Sequence, residues 1–124
     1  MRLIIHVPPF ETEVNIIQPR TPKQVANARK LYKATKSDFF GLAMDEICER
    51  STGKERTRLL RRAFKAECHH IFPLCLGGHP TRTSNLALCE PKLHAALHRV
   101  IEAQDTRAGI VAVPRYPGLV WIPS

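Results

Sequence analysis

The chain has 124 residues, 44% of them hydrophobic and 24% charged, so it is long enough for one domain and too apolar for wholesale disorder. Lysine and arginine outnumber aspartate and glutamate by 19 to 11, and the formal net charge of +8 is typical of proteins that bind nucleic acid or another polyanion. The four cysteines contain no CxxC pair, and the apolar run in the opening MRLIIHVPPF is far shorter than a membrane span. We therefore expect a cytoplasmic protein with no membrane partner, with leaderless export as the alternative.

The first part of the chain is predicted to contain a strand and a basic helix. Leu3 to Val7 form an apolar run that two prolines end, and the stretch from there to Arg20 is expected to be extended or irregular. Thr21 stands as an N-cap before Pro22, and proline favours the first position of a helix, so we predict a helix over residues 22–36. Its basic residues are Lys23, Arg29, Lys30, Lys33 and Lys36. They form either a DNA-binding surface or an ordinary solvated face.

Two more helices are predicted before the histidine-rich part of the chain. Ser37-Asp38 is a second N-cap signal, after which apolar residues along one face predict a helix from Phe39 to Arg50. The sequence Ser51-Thr52-Gly53 ends it, and a very basic helix is predicted over 54–67. The residues of this helix expected to be buried are Leu59, Leu60 and Phe64. The residues expected to face outward are Arg56, Arg58, Arg61, Arg62 and Lys65. Because this charge run leads directly into the histidines, it is a candidate for phosphate contact.

The second half of the chain is predicted to contain shorter elements. We expect strands over 68–72 and 86–88, joined by a loop, and then a helix from Pro91 to Ala103. The residues of this helix expected to face the core are Leu93, Leu97 and Val100 or Ile101. Two further apolar runs, 110–113 and 119–122, are expected to pair as a hairpin or with the first strand.

The predicted fold is α+β and forms a single domain over residues 1–124. A mainly helical, basic part of unknown role occupies 1–66, a strand–strand–helix unit occupies 67–103, and a short C-terminal strand or hairpin occupies 104–124. Five of the six histidines lie in the middle unit.

Four of these histidines form a pattern that predicts a metal site. His94 and His98 are four residues apart on the predicted helix and therefore project from one face. His69 and His70 are adjacent on a predicted strand, where neighbours point to opposite sides, so one can bind an ion while the other faces away from it. A site of three neutral imidazoles, from His69, His94 and His98, leaves a position on the ion open for water or substrate, as catalytic sites do. His70 is then available as a general base.

Three segments, HHIFPLCLGG, SNLALC and KLHAALHR, resemble the HNH, or ββα-metal (His-Me finger), nucleases, and most closely the His-His variant in the nuclease domains of colicins and pyocins. The resemblance covers about Glu67 to Arg99. It implies that the first histidine of the pair, His69, binds the metal and that the second, His70, is the base. It also implies that Asn85 holds the loop carrying His70 in register and that Glu67 steadies the site.

The function implied by this resemblance is a divalent-metal-dependent endonuclease that hydrolyses DNA phosphodiester bonds with low sequence specificity, with RNA as the other substrate to consider. His70 takes a proton from the attacking water, and one Zn, Ni, Mn or Mg ion stabilises the negative charge that develops on the phosphate. The residues expected to bind nucleic acid are Arg61, Arg62, Lys65, Lys92 and Arg99.

Other functions fit parts of the same pattern. A non-catalytic nucleic-acid-binding protein would use the histidines to hold a structural zinc. The version of that site with cysteines would consist of Cys75, Cys89, His94 and His98. A nuclease toxin would share the chemistry and add an acidic immunity protein as partner, whereas a stand-alone nuclease would come, for instance, from a phage or mobile element. If the cysteines bind no metal, those at 68, 75 and 89 are expected to be small core residues, and the histidines at 6 and 79 are expected to lie at the surface.

Overall fold

Helices and two small sheets make up the part of the chain that this computed structural model describes, which is residues 4–5, 11–115 and 120–121, with side chains over 12–115. The elements are β1 (Ile4–Ile5), β2 (Glu11–Ile16), α1 (Pro22–Arg50), α2 (Gly53–Phe64), β3 (Glu67–His70), β4 (Leu86–Cys89), α3 (Pro91–Glu102), β5 (Ile110–Arg115) and β6 (Val120–Trp121). The predicted α+β class is confirmed. The ends of the predicted first strand, at 3 and 6–7, lie outside the described residues.

The start of α1 is fixed by the N-cap that the sequence predicts. The Gln24 backbone N–H donates to Thr21 Oγ1 at 3.2 Å, and the Thr21 backbone N–H donates to Gln24 Oε1 at 2.8 Å. This capping box, with Pro22 at the first helical position, satisfies backbone groups that a helix end leaves without partners. Although α1 has 29 residues, no helix in the described part of the chain is both long and apolar enough to cross a bilayer.

The prediction that two helices meet at Ser37-Asp38 is wrong, because α1 passes through this point without a break. Both side chains are exposed on the outer face, where such residues cost only a few tenths of a kcal/mol in helix propensity. The buried row on the inner face continues across the site and includes Ala28, Phe39, Ala43 and Ile47, with Tyr32 packed beside it. Burial of this row outweighs the weak local preference for a cap.

Helix α2 follows Ser51-Thr52 as predicted, but it ends at Phe64 rather than near residue 67. Leu59 is buried as expected, whereas Phe64 is 82% exposed, so the prediction that Phe64 is buried is wrong. The inner face of the helix is occupied by Leu59 and Ala63. Phe64 lies five residues after Leu59 and is therefore rotated by about 140° from it around the helix axis.

The main sheet has four strands in the order β1-β6-β4-β3, and β2 and β5 form a separate antiparallel pair. Strands β3 and β4 are antiparallel, whereas β6 is parallel to both β4 and β1. Within the described parts of the two C-terminal runs, β5 pairs with β2 and β6 with β4 and β1, so they form no hairpin with each other, which corrects that alternative. The second run pairs with the first strand, as the other alternative expected.

Strand β4 is buried on both of its faces and separates two cores. The core on one side, formed with α1 and α2, contains Phe39, Ala43, Ile47, Leu59, Ala63, Ala66, Leu86 and Leu88. The core on the other side, formed with α3 and β5, contains Ile71, Ala87, Cys89, Leu93, Leu97, Ile101, Val111 and Val113. Of the two alternatives for α3, Ile101 is buried and Val100 is 44% exposed.

The register of β3 against β4 decides where the adjacent histidines point. His69 pairs with Ala87, and His70 pairs with Leu86. Since directly opposed residues of antiparallel strands share a face, His69 faces the α3 side and His70 faces the α1 side. The expectation that the pair splits between two faces is confirmed.

Candidate metal centre and its cleft

Three imidazoles converge on one point between β3 and α3. The ligand nitrogens of His69, His94 and His98 all lie within 4.8 Å of one another, and the Nε2 atoms of His94 and His98 are 3.0 Å apart. Nitrogens about 2.0–2.1 Å from a tetrahedral zinc ion lie about 3.4 Å from one another. A small movement of the rings would therefore bring the three nitrogens to the spacing of a tetrahedral site, so the three histidines can hold a divalent ion.

The surroundings of this cluster favour neutral imidazoles, which are the form that binds a metal. Burial, followed by the proximity of His94 and His98, lowers the pKa of His69 to about 3. Burial and the proximity of His98 lower the pKa of His94, against the opposing effect of Glu67. His69 and His94 can thus each offer a nitrogen lone pair to a metal near pH 7 without first losing a proton.

Glu67 lies beside the cluster, where the sequence places it. Its Oε1 is 3.6 Å from His94 Nδ1, and the carboxylate side chain is 53% exposed. A carboxylate near one ring nitrogen fixes the orientation of the ring and directs the other nitrogen towards the ion. His94 accordingly presents Nε2 to His98.

His70 occupies a different environment on the α1 side of β3. Its Nε2–H donates to the Pro80 carbonyl oxygen at 3.1 Å, which leaves Nδ1 as the nitrogen that can accept a proton. The ring packs edge-on against Tyr32, with 4.4 Å between ring centroids. Burial lowers the pKa of His70, and the charges of Arg29 and Arg20 act in the same direction, while the bond to Pro80 opposes them. His70 is thus a neutral base near pH 7.

Asn85 ties together both ends of the loop between β3 and β4. Its Nδ2 donates to the carbonyl oxygens of Phe72 at 3.1 Å and His79 at 3.0 Å, and its Oδ1 accepts from the Phe72 N–H at 2.8 Å. The side chain is buried, and the backbone oxygen of Asn85 accepts from the Ile71 N–H. These bonds hold the chain on both sides of Pro80, whose carbonyl oxygen accepts from His70.

The segment before α1 is bonded to the same loop. The Arg20 guanidinium donates to the carbonyl oxygens of Leu74 at 2.7 Å and Gly78 at 2.6 Å. The backbone N–H of Gln18 donates to the Leu76 carbonyl oxygen at 2.9 Å. The first turns of α1 are therefore positioned directly beside the loop and His70.

The close contact between the segment before α1 and the loop requires the glycine pair of the loop. Gly77 has a φ of +111°, and a Cβ there would lie 2.9 Å from the Gln18 carbonyl oxygen. A Cβ at Gly78 would lie 1.7 Å from the Phe72 carbonyl oxygen. Only glycine allows both the turn and the close contact between segments.

A cleft of about 310 Å³ crosses the edge of β3 between α1 and α3. The residues that give it chemistry are Arg29, Tyr32 and Lys36 of α1, His70 of β3, and His94 and His98 of α3. The cleft brings the predicted base and two of the predicted metal ligands to one opening.

The basic residues predicted to bind nucleic acid lie elsewhere. Arg61 on α2 and Lys65 directly after it are exposed, and Arg62 donates from Nε to Glu90 Oε1 at 2.6 Å. The two candidates on α3, at 92 and 99, are also exposed. None of these five is among the described residues that line the histidine cleft.

Sequence reasoning missed the contribution of α1 to the cleft. Arg29, Tyr32 and Lys36 are three and four residues apart and therefore share one helical face. That spacing is visible in the sequence. The side of the sheet against which this face packs is set by tertiary structure, and the sequence pattern does not contain it.

The described residues place no cysteine in the metal cluster, so the alternative site with two cysteines and two histidines is not formed. Cys89 is buried as expected, but Cys75 is exposed, so the expectation that Cys75 is a core residue is wrong. Cys75 belongs to a short turn over 74–76 whose buried side chain is Leu74. Of the two predicted surface histidines, His79 is exposed and His6 lies outside the described residues.

Comparisons of the chain with protein families, with curated proteins and with solved structures find no match. Function is therefore inferred from the histidine cleft and from the resemblance of its sequence motifs.

Proposed function

We propose that this protein is a divalent-metal-dependent endonuclease that hydrolyses DNA phosphodiester bonds with little sequence preference. The observation that carries this proposal is the division of four imidazoles between two roles. Three converge within 4.8 Å of one another, and the fourth, His70, reaches the same cleft with Nδ1 ready to accept a proton. The order β3, β4, α3 and the position of Asn85 support the resemblance to the ββα-metal nucleases.

The donor set fits a divalent transition metal. His69, His94 and His98 would hold it, and the bound ion would supply positive charge beside the scissile phosphate. Imidazole donors suit zinc and nickel better than magnesium, which prefers oxygen ligands. We therefore expect zinc or nickel to bind most tightly and manganese or magnesium to bind more weakly.

The chain's own part in the reaction is proton transfer. His70 Nδ1 takes a proton from the water that attacks the phosphorus, and the Pro80 carbonyl oxygen, which accepts from Nε2–H, stabilises the resulting imidazolium. The bond from phosphorus to the 3′ oxygen breaks as the new bond to the water oxygen forms, and the bound ion would stabilise the negative charge on the leaving 3′ oxygen. Asn85 positions this pair by holding the loop at Phe72 and His79. Tyr32 restricts the ring from the other side.

The open side of the histidine cluster supports a catalytic metal site rather than a structural zinc site. His98 is exposed, and both His94 and His98 line the cleft. Structural zinc sites are closed by four protein ligands, whereas catalytic sites leave a coordination position for water or substrate. Three histidines beside a cleft match the second arrangement.

Plasmid nicking tests the proposal. Purified protein should nick supercoiled plasmid in the presence of a divalent metal and stop when a chelator is added. His70→Ala should lower the rate by about 10²–10⁴-fold, the usual contribution of a general base, while metal and DNA still bind. The control is Asn27→Ala, an exposed polar residue of α1 outside the cleft lining, which should nick at the wild-type rate.

His98→Ala separates the two histidine roles. It should weaken metal binding first, so that added metal restores part of the activity. Normal nicking by His70→Ala would show that the base is assigned wrongly. Unfolding on chelation without turnover under any metal would favour the structural zinc instead.

A further inference from the structure

One wall of the histidine cleft belongs to α1, which lies outside the segment resembling the nucleases. Arg29 and Lys36 line this wall, and Tyr32 lies between them against His70. Among the described residues, neither Arg29 nor Lys36 forms an ion pair. Both cations are exposed.

The charge of the cleft is strongly one-sided. No aspartate or glutamate is among the described residues that line it, so the two cations of α1 face a space otherwise bounded by imidazoles, thiols, the Tyr32 phenol and apolar groups. The carboxylate of Glu67 is 3.6 Å from His94 Nδ1 and is not part of the lining. A cleft of this composition attracts an anion rather than a cation or a neutral ligand.

The spacing of the two cations suits an extended anion. Seven residues of helix place Arg29 and Lys36 about 10.5 Å apart along the axis of α1 and on nearly the same face. Successive phosphates of one DNA strand are spaced by about 3.4 Å along the duplex axis. The two side chains can therefore contact different phosphates of one strand and do not compete for a single phosphate.

The position of this wall is fixed, so its charges stand at a defined place relative to His70. Arg20 binds the loop carbonyls of Leu74 and Gly78, and the capping box at Thr21 begins α1 directly afterwards. The helix therefore begins beside the loop and passes His70 at Tyr32.

We propose that Arg29 and Lys36 bind two backbone phosphates of the DNA strand in the cleft, so that α1 is the element that holds the substrate against His70. This inference rests on the proposed nuclease function for its substrate. It assigns a role to a helix that the motif resemblance leaves without one. Sequence preference should be low, because phosphate contacts position the strand without reading its bases.

Salt-dependent DNA binding tests the inference independently of cutting. A short fluorescent duplex is titrated with protein in chelator, so that no cleavage interferes, at salt concentrations from about 50 to 200 mM. Arg29→Ala and Lys36→Ala should each reduce the slope of log affinity against log salt by about 0.9. A phosphate contact with that slope raises DNA affinity about eightfold at 0.1 M salt, so the double variant should bind DNA about sixtyfold more weakly than the wild type.

The control variants carry the same change at cations outside the cleft. Lys30→Ala removes a charge next to Arg29 that points about 100° away around α1, and Lys54→Ala removes an exposed charge from α2 that does not line the cleft. Both should keep the wild-type slope. Circular dichroism should show the same helix content in all variants, since every side chain changed is exposed.

The outcomes separate this inference from the proposed function. If the double variant keeps wild-type affinity and slope while the wild type nicks plasmid, the role of α1 is wrong and the nuclease stands. If the wild type fails to nick plasmid with every metal tested, but its DNA binding depends on Arg29 and Lys36, the proposed nuclease function is wrong and the role of α1 in DNA binding stands. A wild type that binds no DNA at low salt overturns both.

Discussion

Helices α1 and α2 are both basic, yet only α1 places cations in the histidine cleft. Helix α2 has the denser charge, with five lysines and arginines among its 12 residues. Two of its arginines are used within the fold: Arg56 donates to the carbonyl oxygens of Cys48 and Ser51 at the end of α1, and Arg62 pairs with Glu90. The number of basic residues in a helix therefore does not predict which helix lines the cleft.

The difference follows from how each helix is anchored. The inner face of α2 is fixed by Leu59 and Ala63 in the core, which turns Arg58 and Arg61 to solvent. The second half of α1 is anchored in the same way by Phe39 and Ile47, while its first half extends along the loop and β3. Arg29 and Lys36 therefore line the cleft.

The largest effect on stability should come from removing the Asn85 side chain, which holds the loop between β3 and β4. Asn85→Ala removes three side-chain hydrogen bonds and leaves polar groups of Phe72 unsatisfied, which should lower the free energy of unfolding by about 3 kcal/mol. Urea unfolding measures this loss. Asn15→Ala, which removes one local side-chain hydrogen bond to the Glu13 carbonyl oxygen, is the control and should change little. Equal stability of the two variants would mean that the loop does not depend on Asn85.

Acidification should destabilise the metal-free protein by a similar amount. The pKa of His69 is about 3 in the fold and near 6.5 in an unfolded chain, so the unfolded state binds more protons below pH 6.5. The contribution of His69 to the free energy of unfolding should therefore be constant above pH 6.5 and fall by up to about 1.4 kcal/mol for each pH unit between 6.5 and 3. Urea unfolding in chelator from pH 7 to pH 4 measures this. His69→Leu should flatten the profile, and a flat wild-type profile would contradict the burial of His69.

The cleft also shows what could be predicted from sequence. The four-residue spacing of His94 and His98 and the alternation of His69 and His70 are local periodicities, and the structure places these residues accordingly. Elements with clear start signals, such as α3 at Pro91, were found for the same reason.

What could not be predicted depends on contacts between elements distant in sequence. Ser37-Asp38 has a local preference for a helix start that the buried row of α1 overrides. Tyr32 meets His70 only because Arg20 and the glycine pair bring the loop to α1. These contacts join residues that are tens of positions apart, and no period of the sequence encodes them.

A smaller effect is expected from the contact between α1 and the proposed base. Tyr32→Ala should slow nicking by about tenfold, because a loosened His70 is less often oriented for proton transfer, while DNA affinity stays the same. Removal of the ring also exposes His70 to water, so its pKa should rise and the acidic limb of the pH–rate profile should move to higher pH. Tyr32→Phe keeps the edge contact and should behave like the wild type. An unshifted profile in Tyr32→Ala would limit Tyr32 to a purely structural role.

The smallest effect should come from the charges of α2, and it sharpens the contrast with α1. The Arg62–Glu90 pair is short, but its side chains are 26% and 27% exposed, so solvent screens the attraction. Arg62→Ala should therefore lower the free energy of unfolding by no more than about 1 kcal/mol, a typical upper value for such pairs. Because Arg62 lies outside the cleft lining, its plasmid-nicking rate should stay within about twofold of the wild type, well short of the loss expected when a phosphate contact is removed. A loss of nicking in Arg62→Ala as large as that in Arg29→Ala, at equal stability, would move the DNA path from α1 towards α2.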